Sequence, residues 1–501
     1  MSVTARQGPG LARNAIGLRE VLFQSVTHMA PAAAVAFSIP AGASYAAGAL
    51  PLGTVLALIA CLFVALSIGE LARHLPSAGS FYTYASKGIH PWVGFLVAWA
   101  YAFAEAFIAA FLFLVFAITV SGTLNTEYGW STGTWWIWVV ASSLLVFILG
   151  YVGIQISTKV GTGMGVFEIV VFGALAVWLI VEAGSRNSLS VFTTHHATVP
   201  GYAGFSGVIA ACVYSILAFT GFESAAPLAE EARDPRRTIR KAVIYSAVAI
   251  GAFYVFTTYA ATVYRGPGRM ADFVSLGNGD AWTFLAKAVW GVGWVLVFIA
   301  IINSAVANAN AGANATTRTW FSMGRIRLLP AFMAAIHPRW KSPHIAVTVQ
   351  FVVALVLALW LGFQYTPYTA FILMATIFTL VLILIYIVIL VACIAYYWRF
   401  QREHANVVMH AIIPVLGILV FIPVFLTAAG IPAFKFVAKL SYPISLAGPI
   451  VGIWMVLGVV YLVYLNNRHP DRLAETGRIF LDEPQATSGG LQNPATLPHE
   501  G

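Results

Sequence analysis

Charged residues are scarce in this sequence, and their scarcity excludes most kinds of protein. Asp, Glu, Lys and Arg make up 9% of the 501 residues, whereas apolar residues make up 60%. A soluble domain carries about 25% charged residues, so a soluble globular fold is excluded. Apolar runs of about 20 residues, long enough to cross a bilayer as helices, recur along the chain. The composition therefore indicates an integral membrane protein with many spans.

Cysteine is rare and catalytic motifs are missing. Cys61, Cys212 and Cys393 lie in apolar stretches and give neither a disulfide framework nor a metal-binding spacing. The sequence has no Walker loop, no nucleophile elbow and no His-x-x-x-His pair. These absences argue against an enzyme and against an ATP-driven pump. We expect no cofactor, no metal and no nucleic acid as a partner.

Twelve transmembrane helices are predicted from the apolar runs. Their approximate limits are 21–46, 51–72, 91–120, 134–152, 160–183, 205–229, 241–264, 285–317, 344–362, 367–397, 408–428 and 443–465. With both termini in the cytoplasm, 21 of the 27 Lys and Arg residues fall in cytoplasmic segments and 6 in outer loops. Short cytoplasmic loops are enriched in Lys and Arg, so this bias fixes the orientation. Residues 1–20 and 466–501 are then cytoplasmic, and the polar tail is expected to be disordered.

The sixth span contains two residues that are unusual inside a bilayer. In the run Phe219-Thr220-Gly221-Phe222-Glu223, Gly lowers helix propensity and a carboxylate at this depth costs roughly 3 kcal/mol. Irregular backbone at membrane depth is tolerated only where it is buried in protein or lines a water-filled cavity. The run predicts a helix that unwinds here. An intact helix, with a kink at Gly and a paired Glu, is the alternative.

The first span is interrupted at the matching position. In Met29-Ala30-Pro31-Ala32-Ala33-Ala34, the proline removes a backbone hydrogen bond and clashes with the preceding turn. Paired interruptions in two halves of a chain indicate a transport site near the bilayer midplane. A core at 21–397 would then hold two five-span repeats of opposite orientation, 21–183 and 205–397, followed by two further helices at 408–465.

Four stretches resemble the amino acid–polyamine–organocation (APC) superfamily of permeases. They are SVTHMAPAAAVAF, GELARHLPSAGSFYTYASKGIHPWVGFLVAW, FTGFESAAPLAEEARDPRRTIRKAV and NATTRTWFSMGRIRLLP. The resemblance implies the five-plus-five inverted-repeat fold of the LeuT-type transporters. It also implies uptake or exchange of amino acids or amines, driven by protons or by a counter-substrate. The chain departs from the superfamily in lacking a glycine-rich break in span one, and in having Ile326-Arg327 where Asp-Gly is usual.

A free amino acid would present a carboxylate and an ammonium group to the two breaks. The N–H groups near Ala32–Ala34 lie at a helix start and suit the carboxylate. The carbonyls at Phe219, Thr220 and Gly221 suit the ammonium group. Phe219 and Phe222 would cover the ligand or stack on a cation, unless they only pack in the core.

Three acidic residues within spans are candidates for recognition or coupling. The resemblance places Glu105 at the depth of span three that lines the side-chain pocket, where a carboxylate favours a cationic substrate; an ion pair with another span is the alternative. Glu223 would titrate during transport, or accept N–H groups of the unwound segment as a static cap. Relatives place a residue near a coupling ion at the position of Glu168, which would carry a proton or pack in protonated form.

Three polar residues complete the candidates. His28, beside the first break, would titrate near neutral pH or remain a buried hydrogen-bonding residue. Asn310 and Asn314 share one face of span eight with Asn303, where they would line a polar pathway or join helices.

The sequence thus predicts an all-α integral membrane protein of the cell membrane. Its predicted function is secondary active transport of amino acids by alternating access, coupled to protons or to exchange. A transporter of polyamines or other small amines with the same fold is the alternative. An integral-membrane enzyme or a channel is a more distant alternative.

Overall fold

The computed structural model describes residues 16–77, 79–153, 158–230, 232–325, 327–340, 342–470 and 473. Most of the two predicted cytoplasmic ends, together with Ile326, lies outside this part of the chain. Regular structure in the described residues is helical, apart from an isolated bridge between Ile16 and Ala232. The helices are α1 Leu18–Met29, α2 Pro31–Ala33, α3 Ile39–Ala41, α4 Ala43–Ala46, α5 Leu50–His74, α6 Ser80–Gly88, α7 Pro91–Tyr128, α8 Trp135–Val152, α9 Thr158–Ala183, α10 Phe205–Phe219, α11 Pro235–Arg265, α12 Ala281–Trp290, α13 Trp294–Arg325, α14 His344–Gln364, α15 Pro367–Phe400, α16 Ile413–Ala429 and α17 Ala447–Arg468.

The apolar helices make this a multi-pass membrane protein. Among the described residues, ten helical stretches are long and apolar enough to cross a membrane, and an eleventh is the bent pair Phe205–Phe219 and Phe222–Ala229. The first of the ten, Leu18–His74, is 57 residues long. A single crossing needs about 20 residues, so this stretch exceeds one span by a wide margin.

Several helix limits differ from those predicted. The eighth predicted span is divided into α12 and α13 by a turn at Gly291–Gly293. Helix α6 lies in a stretch predicted as a loop, and α7 continues to Tyr128, past its predicted end at 120. Apolar runs locate spans but do not show where a helix continues into its polar flank.

Burial separates central helices from peripheral ones. Helix α7 is almost entirely buried and contacts α6, α8, α13, α14, α15 and α17. Helices α8 and α17 instead expose large apolar side chains, such as Ile148 and Val460. Exposed apolar faces of this extent suit contact with lipid. The central helix α7 therefore forms the wall against which a buried site is built.

One buried carboxylate connects four parts of the bundle. Glu70 on α5 is bonded by Arg73 at 3.0 Å and by Arg240 of α11 at 2.9 Å. The hydroxyl of Tyr397 on α15 donates to the backbone oxygen of Glu70, and Nε2 of His410 lies 3.5 Å from its carboxylate. We call these five residues the Glu70 cluster.

Candidate functional site

The first break is a single residue between α1 and α2. Ala30 adopts a left-handed conformation, with φ 47° and ψ 68°, and Pro31 begins α2. A residue that precedes proline is disfavoured in the right-handed helical conformation, whereas proline is favoured at the first helical position. The sequence therefore breaks the helix here without the glycines usual in the superfamily.

Side chains from other helices bind the backbone groups that this break frees. The hydroxyl of Tyr254 on α11 donates to the carbonyl of Met29 at 2.7 Å. The N–H of Ala32 donates to Oε2 of Glu168 on α9 at 3.3 Å, and that of Ala34 donates to the carbonyl of Ala30 at 2.9 Å. Two of the three N–H groups predicted for the substrate carboxylate thus have partners within the protein.

The second break lies where α10 ends. Gly221 has φ +118°, and a short 3-10 helix from Phe222 to Glu230 follows. The axis bends by 41° between the two helices. Oε2 of Glu223 accepts the N–H of Gly221 at 2.9 Å, while Oε1 accepts the hydroxyl of Tyr386 on α15 at 3.0 Å. Glu223 thus caps the unwound segment in this conformation.

The two breaks touch each other. A Cβ atom added at Gly221 would lie 2.7 Å from the carbonyl carbon of His28 and 2.8 Å from the nitrogen of Met29. The hydroxyl of Ser25 on α1 also donates to the carbonyl of Phe222 at 3.0 Å. The end of α1 and the unwound end of α10 are therefore in direct backbone contact.

A small cavity lies beside this contact. In this conformation its interior, about 20 Å³, has room for about one water molecule. Its lining comes from the first break, from α7, α10, α13 and α15: Met29, Ala30, Ala33, Ala34, Ser38, Phe111, Leu112, Val115, Leu217, Ala218, Thr220, Asn308 and Phe371. We call this space the central cavity.

Some of the predicted binding residues line the central cavity and others do not. Met29, Ala30, Ala33, Ala34 and Thr220 line it. The others are not among its lining residues: Pro31, Ala32, Glu105, Phe219, Gly221 and Phe222. Of these, the ring of Phe219 packs edge-on against Tyr254 at 5.3 Å, and that of Phe222 lies 5.8 Å from Tyr386.

The three intramembrane acids are buried, and none is among the residues that line the central cavity. Besides Ala32, Glu168 binds Asn303 of α13, whose Nδ2 donates at 2.6 Å. Glu105 is 2% exposed and interacts with Tyr101, one turn earlier on α7. Within the described part of the chain, Oε2 of Glu105 has no hydrogen-bond partner.

The polar residues of α13 face different surroundings, although three of them were predicted on one face. Asn303 binds Glu168, Asn310 is half-buried, and Asn314 lines a second cavity with Gln350 of α14. Asn308, which lines the central cavity, is not among the residues predicted. The only sequence signal for it is a polar residue in an apolar span, which it shares with its neighbours. His28 is buried beside Gly221.

A bundle of membrane-spanning helices with two interrupted helices in contact beside a buried cavity has the features of a membrane permease. The chain belongs to the amino acid permease family, whose model matches residues 20–472. This match confirms the expected membership of the APC superfamily.

Three relatives have different stated substrates. The low-affinity putrescine importer PlaP of Escherichia coli K12 is 28% identical over 319 residues, which cover 62% of this chain and 66% of the importer. The branched-chain amino acid permease BcaP of Bacillus subtilis is 26% identical over 322 residues, covering 61% and 66%. The histidine permease HisP of Lactococcus lactis is 28% identical over 302 residues, covering 56% and 60%. The matched region thus spans less than two thirds of each relative.

Proposed function

We propose that this protein is a secondary active transporter that moves amino acids across the cell membrane by alternating access. The observation that carries the proposal is the direct contact between two interrupted helices beside the central cavity. Backbone groups at such breaks recognise the charged ends of small substrates. The names of the permease relatives support an amino acid as the substrate.

The proposed topology has twelve spans and two inverted five-span repeats, with both termini in the cytoplasm. Dividing the stretch Leu18–His74 at its left-handed residue Ala47 gives two spans, and the bent pair at the second break adds another. With the nine other stretches these make twelve spans, and an even number of spans agrees with the bias of Lys and Arg.

Two acids are proposed to act in coupling. Glu223 caps one break and Glu168 binds the other, so a proton on either changes the bonds that hold the broken helices. Protons are the proposed coupling ion. His28, Asn310 and Asn314 are proposed to assist gating.

Transport of a polyamine is the second candidate. The putrescine importer among the relatives favours it, and so does Glu105 if its carboxyl group reaches the substrate. The central cavity has no acid among its described lining residues, which places this candidate second.

Purified protein in liposomes tests the proposal. We expect labelled amino acids to enter when the outside is more acidic, and we expect Glu223→Gln to lose this gradient-driven uptake while keeping exchange of internal for external substrate. Glu127→Gln is the control, because Glu127 forms a partly exposed ion pair with Lys287. Full gradient-driven uptake by Glu223→Gln would remove its coupling role. Failure to move any amino acid or amine would refute the proposed function.

A further inference from the structure

The lining of the central cavity carries information about the substrate that the family match does not. Its described side chains include three polar ones, Ser38, Thr220 and Asn308, and none that is charged. We infer that the substrate is a neutral amino acid with an apolar side chain, whose ammonium group donates a hydrogen bond to Asn308. The inference rests on the proposed transport function and narrows its substrate class.

Asn308 offers an acceptor that the protein does not use. Its Oδ1 atom is buried and has no hydrogen-bond partner among the described residues. A buried acceptor without a donor is unfavourable, so a ligand that supplies an N–H group recovers that cost. At the second break, the hydroxyl proton of Thr220 is donated to the carbonyl of Leu217 at 2.6 Å, which leaves the hydroxyl oxygen to accept a second hydrogen bond.

The acids nearest the two breaks already have partners. Glu168 accepts hydrogen bonds from Ala32 and Asn303, and Glu223 accepts them from Gly221 and Tyr386. A diamine would bring two positive charges into a cavity without a carboxylate in its described lining. An unpaired buried charge is strongly disfavoured. A zwitterion brings no net charge, and its ammonium group can donate to the acceptor atoms of Asn308 and Thr220 in the lining.

One wall of the central cavity is apolar. Phe111, Leu112 and Val115 of α7 and Phe371 of α15 form it. The ring of Phe371 is held edge-on by Phe37 and by Phe111, each at a centroid distance of 6.0 Å. A branched aliphatic or aromatic side chain gains from burial against this wall, whereas a charged side chain would lose its hydration there.

The test measures counterflow in liposomes that contain purified protein and internal leucine. We expect external labelled leucine to accumulate, and unlabelled valine and phenylalanine to compete with it. Putrescine, lysine and glutamate should not compete. In Asn308→Ala, the concentration of unlabelled leucine that halves uptake of labelled leucine should rise by about tenfold or more. This is the usual effect of losing a hydrogen bond to a charged group. Asn308→Asp, which keeps the shape but adds a carboxylate, should make putrescine a competitor.

A matched valine pair tests the apolar wall. Val115→Ala should raise the preference for phenylalanine over valine by about threefold or more, because the side-chain space grows by two methyl groups. Val356→Ala on α14, where the valine is 56% exposed on the outside of the bundle, should leave the preference unchanged. A preference unchanged in both variants would overturn the assignment of this wall.

Different outcomes separate the substrate inference from the proposed transport function. Counterflow of putrescine or lysine, with leucine neither carried nor competing, would overturn the inference and leave a working transporter. If unlabelled leucine competes with labelled leucine equally well in a well-folded Asn308→Ala protein, the role of Asn308 is overturned. Absence of uptake for every amino acid and amine would instead overturn the proposed function beneath it.

Discussion

Gly221 and Ala30 break two helices by different means. At Gly221 the backbone has φ +118°, which residues with a Cβ rarely adopt. At Ala30 a residue with a Cβ takes a left-handed conformation, at a cost of about 1–2 kcal/mol, because Pro31 disfavours the helical alternative. The second break therefore depends on glycine at position 221 itself, whereas the first depends on Pro31, the residue that follows Ala30.

Gly221→Ala is predicted to damage the site in two ways, by a steric clash with His28 and by backbone strain. Its Cβ would lie 2.8 Å from Cδ2 of His28, and the strained φ adds about 1–3 kcal/mol. We expect a lower melting temperature in detergent and loss of uptake. Gly173→Ala in α9 is the control, since nothing lies within 4 Å of its Cβ position and alanine favours a helix by up to about 1 kcal/mol. Equal melting of the two variants would show that α1 and the second break are not in tight contact.

The sequence predicted the positions of both breaks and Glu223 as an acceptor at the second, but not the partners that reach the breaks from other helices. Pro31 and Gly221 are local signals, because backbone conformation depends on the residue and its neighbours. Tyr254 and Ser25 reach the breaks only through tertiary packing. Asn308 likewise lies two residues from Asn310 in a polar stretch of α13, and the sequence alone does not show which of the two lines the cavity.

At the scale of helices, the Glu70 cluster joins elements that flank the broken spans. Its carboxylate is almost fully buried, whereas Arg73 and Arg240 are partly exposed. We predict that Glu70→Gln lowers the free energy of unfolding by roughly 1–3 kcal/mol, because charge-assisted hydrogen bonds to two arginines are lost.

Glu127→Gln provides the comparison for that prediction. The carboxylate of Glu127, which pairs with Lys287, is more exposed than that of Glu70, and surface pairs contribute less than about 1 kcal/mol. The check is the melting temperature of both variants in one detergent at one pH. A shift for Glu127→Gln as large as that for Glu70→Gln would contradict a special role for burial.

Asp280 holds the start of α12 and makes stability depend on pH. Its carboxylate accepts the N–H of Thr283 at 3.2 Å and the hydroxyl of Thr123 on α7 at 3.4 Å. Burial raises the pKa of this carboxyl group from 3.8 to about 6, although these hydrogen bonds oppose the rise. The folded protein therefore binds a proton at Asp280 more readily than the unfolded chain does. The contribution of Asp280 to the free energy of unfolding is largest below pH 3.8 and is lost as the pH rises through about 6.

Asp280→Asn should remove that pH dependence. The difference between the two pKa values corresponds to about 3 kcal/mol, and asparagine can still accept the N–H of Thr283. We expect the wild-type protein to lose stability relative to the variant between pH 4 and 7, as measured by melting curves at fixed ionic strength. If the melting temperatures of the wild-type protein and the variant differ by the same amount over this range, Asp280 is not the source of the pH dependence.

Apolar runs predicted most helices, and their failures have a common cause. Helix α6 and the division between α12 and α13 lie where the chain is mixed in polarity or rich in glycine. Membrane insertion selects for apolar length, so the sequence signal is strong across spans and weak where a helix ends or turns. The inverted repeat and the domain limits remain predictions at this scale.

For the whole molecule, orientation follows from the distribution of charge. The chain from Thr132, before α8, to Glu403, after α15, contains an odd number of proposed spans, with α12 and α13 counted as one. These two positions should therefore lie on opposite sides of the membrane. From the bias of Lys and Arg we predict that Thr132 lies outside and Glu403 in the cytoplasm.

Single cysteines at these positions test both the span count and the orientation. Both residues are exposed, and the native Cys61, Cys212 and Cys393 are buried, so background labelling should be low. A membrane-impermeant maleimide should label Thr132→Cys in intact cells and Glu403→Cys only after permeabilisation. Labelling of both in intact cells would require an even number of spans between them, which cannot be reconciled with two five-span repeats of opposite orientation. The reverse pattern would keep the repeats but invert the protein, and would show that the positive charges do not set its orientation.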